Sequence, residues 1–179
     1  MTQEQLLERL RSRCSRTEYS TGQAAAYARR WLDKGAESRN GIEGKEREMI
    51  VAEIVAQLVE ERFVDDRRFA AAFVRDKLKF NGWGRQKIVY RLRALGVDEP
   101  IIRRAVEENY FSCGGSEGNG NGESEGQAVD VLEKLLRKKW DSLKKKNGSE
   151  YAMKGAAIRF AMSRGFDYED IIKCLNNIV

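Results

Sequence analysis

The chain has 179 residues, 33 Lys and Arg against 28 Asp and Glu, no histidine, one proline and three cysteines. Without histidine there is no Ser-His-Asp or Cys-His nucleophile and no His-ligated metal centre. Cys14, Cys113 and Cys174 lie far apart with no CxxC, so they fill no four-thiolate zinc site and fit no disulfide framework, and they read as buried thiols of a reducing cytosol.

The first thirteen residues, MTQEQLLERLRSR, are charged from Glu4 onward and hold no apolar stretch, so no secretory signal is expected. Residues 4–14 then read as the first helix. A second runs through Tyr27 and Trp31 to Gly35, and residues 35–44 read as an insertion. The third carries Ile50, Val51, Ile54, Val55 and Leu58, the i, i+3, i+4, i+7 stripe of an amphipathic helix. Glu53 and Gln57 interrupt this longest apolar stretch, which is shorter than the roughly 18–20 residues of a membrane span.

Asp65 follows Val64 with Phe69 four residues on, the pattern of an Asp N-cap with a hydrophobic staple. It opens a helix over residues 66–79 whose Phe69, Ala70, Ala71 and Phe73 read as core. Asn81-Gly82-Trp83-Gly84-Arg85 matches neither the P-loop nor the dinucleotide fingerprint and reads as a loop. Trp83 is either a capping aromatic or an exposed contact. The next helix carries Ile88, Val89, Leu92 and Leu95 and ends at Gly96; Val97, Asp98 and Ile102 repeat the staple pattern.

Residues 112–126, SCGGSEGNGNGESEG, contain no aliphatic or aromatic side chain and read as a flexible linker. Residues 127–145 form a striped helix, and residues 144–149 a turn. A further helix runs through Ala157 and Ala161 to Gly165, where Phe166, Asp167 and Ile171 give the third staple. No run alternates with period two.

The expected fold is therefore all-α: three tandem three-helix repeats in an elongated, curved body. The modules are residues 1–64 with the insertion at 35–44, residues 65–111, and residues 127–179 beyond the linker at 112–126. Net charge separates along them: −1 over residues 1–65, +5 over 66–109, −3 over 110–126 and +4 over 127–179.

The basic groups of the second and third modules, interleaved with Phe80, Trp83 and Tyr90, suit phosphates or an acidic protein groove. The candidate partner-binding residues are Lys79, Trp83, Arg85, Lys87, Arg91, Arg93, Lys138 and Lys139. The Asp65-Asp66 pair could serve acid/base or metal chemistry, but capping accounts for it. No constellation supports an enzyme; no cofactor and no metal are expected.

The run FVDDRRFAAAFVRDKLKFNGWGRQKIVYRLRALGV, residues 63–97, strongly resembles the most characteristic stretch of the RecX family. Asp65, Asp66, Phe69, Ala70, Phe73, Gly84, Arg85, Ile88, Leu92 and Gly96 fill the family positions. CSRTEYS (residues 14–20) and IRFAMSRGFDYEDI (residues 158–171) are similar to it as well. The resemblance implies a cytoplasmic, monomeric modulator, usually an inhibitor, of the RecA recombinase. It would lie in the groove of the RecA–DNA filament, touch its single-stranded DNA weakly, and regulate filament growth, strand exchange and the ATPase and coprotease activities. DNA repair, homologous recombination and the SOS response are the implied setting. The alternative is a helical regulator acting directly on nucleic acid.

Overall fold

The structure is a computed structural model that describes residues 2–36, 44–110, 127–145 and 149–178. The expected linker at 112–126, the central residues of the 35–44 insertion, the middle of the 144–149 turn and Cys113 lie outside the described residues. The described residues form nine α-helices and no strand. In chain order these are α1 (Gln3–Cys14), α2 (Thr21–Ala36), α3 (Gly44–Glu60), α4 (Asp66–Lys79), α5 (Arg85–Ala94), α6 (Glu99–Asn109), α7 (Gln127–Lys144), α8 (Glu150–Ser163) and α9 (Tyr168–Asn176).

The helix ends follow from named side chains. Thr2 and Gln5 close a capping box on α1. Ser20 and Gln23 do the same for α2: the Ser20 N–H donates to Gln23 Oε1 and the Gln23 N–H donates to Ser20 Oγ, both at 3.1 Å. Asp65 Oδ1 accepts from the N–H groups of Arg67 at 2.8 Å and Arg68 at 3.0 Å, the cap its position predicts.

Asp167 differs. It occupies the N-cap of α9 but makes no cap hydrogen bond, because its Oδ1 accepts from Gln86 Nε2 at 2.7 Å. The helix α2 ends at Ala36, one residue past Gly35. The helix α3 starts at Gly44, six residues before its apolar stripe.

The contacts gather into two compact units: residues 1–70 with 93–101, and residues 71–92 with 102–179. In the first, α1, α2 and α3 bury Leu6, Leu10, Ala24, Ala28, Ile54 and Leu58, each at most 1% exposed. In the second, α7, α8 and α9 bury Leu132, Leu136, Ala157, Ala161 and Ile171 to the same degree. Each fully buried leucine or isoleucine contributes about 1.5–3 kcal/mol relative to an exposed one. Cys14 and Cys174 are buried, one in each core. Phe69 and Ala70 are buried, whereas Ala71 and Phe73 are half-buried.

The same joint is built once inside each unit. In the first, Ser20 Oγ donates to the carbonyl of Leu95 at 2.6 Å, and Gly22 lies against Gly96 so closely that a Cβ on it would meet Gly96 Cα at 2.7 Å. In the second, the Gly84 N–H donates to the carbonyl of Arg164 at 2.8 Å and the Gln86 N–H to that of Gly165 at 3.0 Å. Gly96 and Gly165 have φ of 76° and 87°, a backbone that glycine adopts without strain. The start of one helix thus sits against the glycine that ends another.

Candidate functional site

Seven of the eight candidate residues lie in the second unit; Arg93 lies in the first. Joint geometry places the central ones. Because Gly84 and Gln86 are bonded to the end of α8, the loop before α5 is fixed, and Trp83 is half-buried with its ring edge-on to Phe73, centroids 6.3 Å apart. The ammonium of Lys87 lies 5.0 Å from the Trp83 ring and that of Lys77 lies 5.5 Å from it. Two cations therefore flank one indole, each attracted by the negative ring faces. Lys87 is half-buried, with its backbone against Gly165 and a long 3.4 Å contact from Nζ to the Ser163 carbonyl.

A second stack of the same kind forms on α8. Arg164 and Lys139 reach the Phe160 ring at 4.9 and 5.3 Å, and Arg164 Nη1 donates to the Asn81 carbonyl at 2.7 Å. Arg164 and Lys77 were not among the candidates. The i, i+4 spacing of Phe160 and Arg164 is the signal that could have found the first. Lys138, Arg85 and Arg91 are exposed, as is Lys79, whose Nζ lies 5.7 Å from the Phe80 ring. Phe80 and Tyr90 are 74% and 72% exposed, large apolar surface left beside these cations.

Arg93 is engaged otherwise. Its Nε and Nη2 form a fork on the Glu99 carboxylate at 2.7 and 2.6 Å, so its charge is already neutralised within the first unit. The Asp65-Asp66 pair is also consumed structurally. Asp65 caps α4, and the Asp66 carboxylate accepts from the Thr21 N–H at 2.8 Å and the Thr21 hydroxyl at 2.6 Å. The equivalent N–H of α5, that of Arg85, donates to the Tyr110 hydroxyl at 3.0 Å. Burial pushes the Tyr110 hydroxyl well above its ordinary value, and Asp167 and Asp170 add to the shift. Among the described residues no cluster of three or more Cys, Asp or Glu could hold a metal ion.

This arrangement offers cations, ring faces and fixed backbone, a surface that can hold an anionic partner. Two family models match the chain: RecX, second three-helix domain, over residues 65–106, and RecX, third three-helix domain, over residues 125–175. The chain belongs to the RecX family.

Regulatory protein RecX from Clostridium perfringens strain 13 is 32% identical over 122 residues, 68% of this chain and 48% of that protein. The Clostridium tetani protein of the same name is 28% identical over 129 residues, 72% of this chain and 52% of that one. The chain spans about half the length of the curated relatives it matches.

Among solved structures, RecX from Lactobacillus salivarius superposes with a TM-score of 0.67 at 15% identity, covering 98% of this chain and 96% of that one. A second crystal structure of regulatory protein RecX gives 0.69 at 17% identity, covering 97% and 73%. At these identities the likeness concerns the fold, and it is the all-helical repeat of the RecX family. The relatives are named as regulatory proteins. No helix among the described residues is long and apolar enough to cross a membrane.

Proposed function

We propose that this RecX-family chain is a non-enzymatic modulator, acting mainly as an inhibitor, of the RecA recombinase. The observation that carries the reading is its match to two RecX domains, together with relatives named as regulatory proteins. In this reading it works as a cytoplasmic monomer with three modules, 1–64, 65–111 and 127–179, joined by the 112–126 linker. It binds the groove of the RecA–DNA filament and regulates filament growth, strand exchange and the ATPase and coprotease activities during DNA repair.

The contact surface is assigned to Lys79, Trp83, Arg85, Lys87, Arg91, Lys138 and Lys139. Arg93 contributes less, because Glu99 already holds its guanidinium. Exposed guanidinium and ammonium groups would form charge-assisted bonds to filament carboxylates or phosphates. Titrating the protein into RecA on single-stranded DNA tests this through ATPase rate and filament length. Both should fall with added protein, and no change in either would remove the reading.

One observation favours a second reading, a direct nucleic-acid binder: the half-buried indole of Trp83, with the ammonium groups of Lys77 and Lys87 at 5.5 and 5.0 Å from its centroid, sets an aromatic ring beside phosphate-seeking charge. Tight, sequence-specific binding to bare DNA would support it. Weak, steeply salt-dependent binding would support the filament reading.

A further inference from the structure

The first module carries a near-neutral net charge, yet three of its arginines converge on one cavity. Arg9 and Arg13 stand four residues apart on α1, and the turn after Cys14 brings Arg16 to the same place. They line an open cavity of about 380 Å³ together with the hydroxyls of Ser12 and Thr17, and no carboxylate side chain lines it. Tyr19 and Tyr27 complete the wall.

The contrast with Arg11 on the same helix is the telling one. Arg11 is paired with both Glu8 and Glu61. Arg9, Arg13 and Arg16 form no ion pair among the described residues. Like charges three and four residues apart on a helix repel one another. Gathering three around one hollow therefore costs stability that a bound anion would return.

The cluster is also held in position. Arg13 Nε donates to the Tyr19 hydroxyl at 2.8 Å while its guanidinium lies 4.8 Å from the Tyr27 ring centroid. Arg9 lies 4.9 Å from the Trp31 centroid. Planar guanidiniums fixed on rings retain the fork that grips two oxygens of a phosphate, and less entropy is lost on binding. The volume suits a small ligand rather than a lone ion.

We infer that this cavity is a phosphate-binding site, taking the phosphate group of a nucleotide or of a nucleic-acid strand. Arg9, Arg13 and Arg16 neutralise it, Ser12 and Thr17 donate to its oxygens, and Tyr19 and Tyr27 form the aromatic side of the cavity beside the attached base. The inference stands independently of the recombinase reading, since it concerns a different part of the chain and needs no filament.

The test is calorimetric titration of the full chain with three probes: adenosine triphosphate, a single-stranded thymidine oligonucleotide and a poly-glutamate peptide. The wild type should bind at least one of the two phosphate probes. The double variant R9Q/R16Q should bind it at least tenfold more weakly, with an unchanged circular dichroism spectrum. Arg11→Gln, which removes a charge from the same helix but not from the cavity, should change binding less than twofold. Binding of the oligonucleotide alone assigns the site to a strand; equal binding of the free nucleotide assigns it to a mononucleotide. Three results would overturn the inference: no binding of either phosphate probe, unchanged binding by R9Q/R16Q, or loss in that variant of peptide binding only.

Discussion

Gly84 sits so close to Gly165 that a Cβ on it would lie 2.2 Å from the Gly165 carbonyl carbon and oxygen. Those atoms are backbone and cannot swing aside. Gly84→Ala should therefore break the 2.8 Å bond from its N–H to Arg164 and cost at least about 2 kcal/mol, at the upper part of the overpacking range. Gly155→Ala provides the opposite sign. Its Cβ would meet only the tip of Arg159, at 3.3 Å, so alanine should stabilise α8 by about 0.5–1 kcal/mol. Urea midpoints at constant m report both.

The adjacent carboxylates Asp65 and Asp66 should separate by mutation. Asp65→Ala removes one cap, worth about 1 kcal/mol, and Asp65→Asn should restore most of it because asparagine caps equally well. Asp66→Ala leaves both the N–H and the hydroxyl of Thr21 without their acceptor, and about 1–3 kcal/mol is expected. A double-mutant cycle with Thr21→Val should show coupling for Asp66 and none for Asp65.

Tyr110 gives an alkaline limit. Burial first, then Asp167 and Asp170, raise its hydroxyl above the ordinary 10.0, against the Arg85 N–H that lowers it. A folded value above the unfolded one means that the contribution is complete below about pH 10. It is lost as pH rises from there through the folded value. Chemical denaturation from pH 8 upward should show wild type losing stability relative to Tyr110→Phe above about pH 10. Parallel curves would refute the assignment.

Charge reversal separates the candidate contacts. Lys87→Glu and Arg91→Glu should each weaken binding to the RecA–DNA filament about tenfold or more, read by the concentration needed to slow the ATPase. Arg93→Ala should do less, since Glu99 already occupies its guanidinium. The reverse order would move the surface to the first unit.

Much of the fold was legible locally. Val64-Asp65, Val97-Asp98 and Phe166-Asp167 each stand directly before a helix, α4, α6 and α9, and Asp65 caps its helix within the first turn. Gly96 and Gly165 mark helix ends because the left-handed backbone there favours glycine. Gly35 marks the end of α2 to within one residue. Asp167 looked identical to Asp65, but Gln86 is its partner.

The candidate site was legible only in part. Helical period showed which residues lie together on one helix, so Lys87 and Arg91 were found. It could not show that Arg93 meets Glu99 across the turn, or that Lys77 and Lys87 share the Trp83 ring. Counting charge by module hid Arg9, Arg13 and Arg16, because a net of −1 averages paired and unpaired groups alike.

By itself, then, the sequence determined the helical class, most helix starts and ends, the absence of any histidine chemistry, and the family of the chain. These depend on spacing, caps and composition, which act within a turn or two of helix. Only the tertiary structure decided which charges are neutralised and which converge. An arginine beside a carboxylate and an arginine beside two others read alike in one dimension, and it is packing that sets which neighbour each one meets.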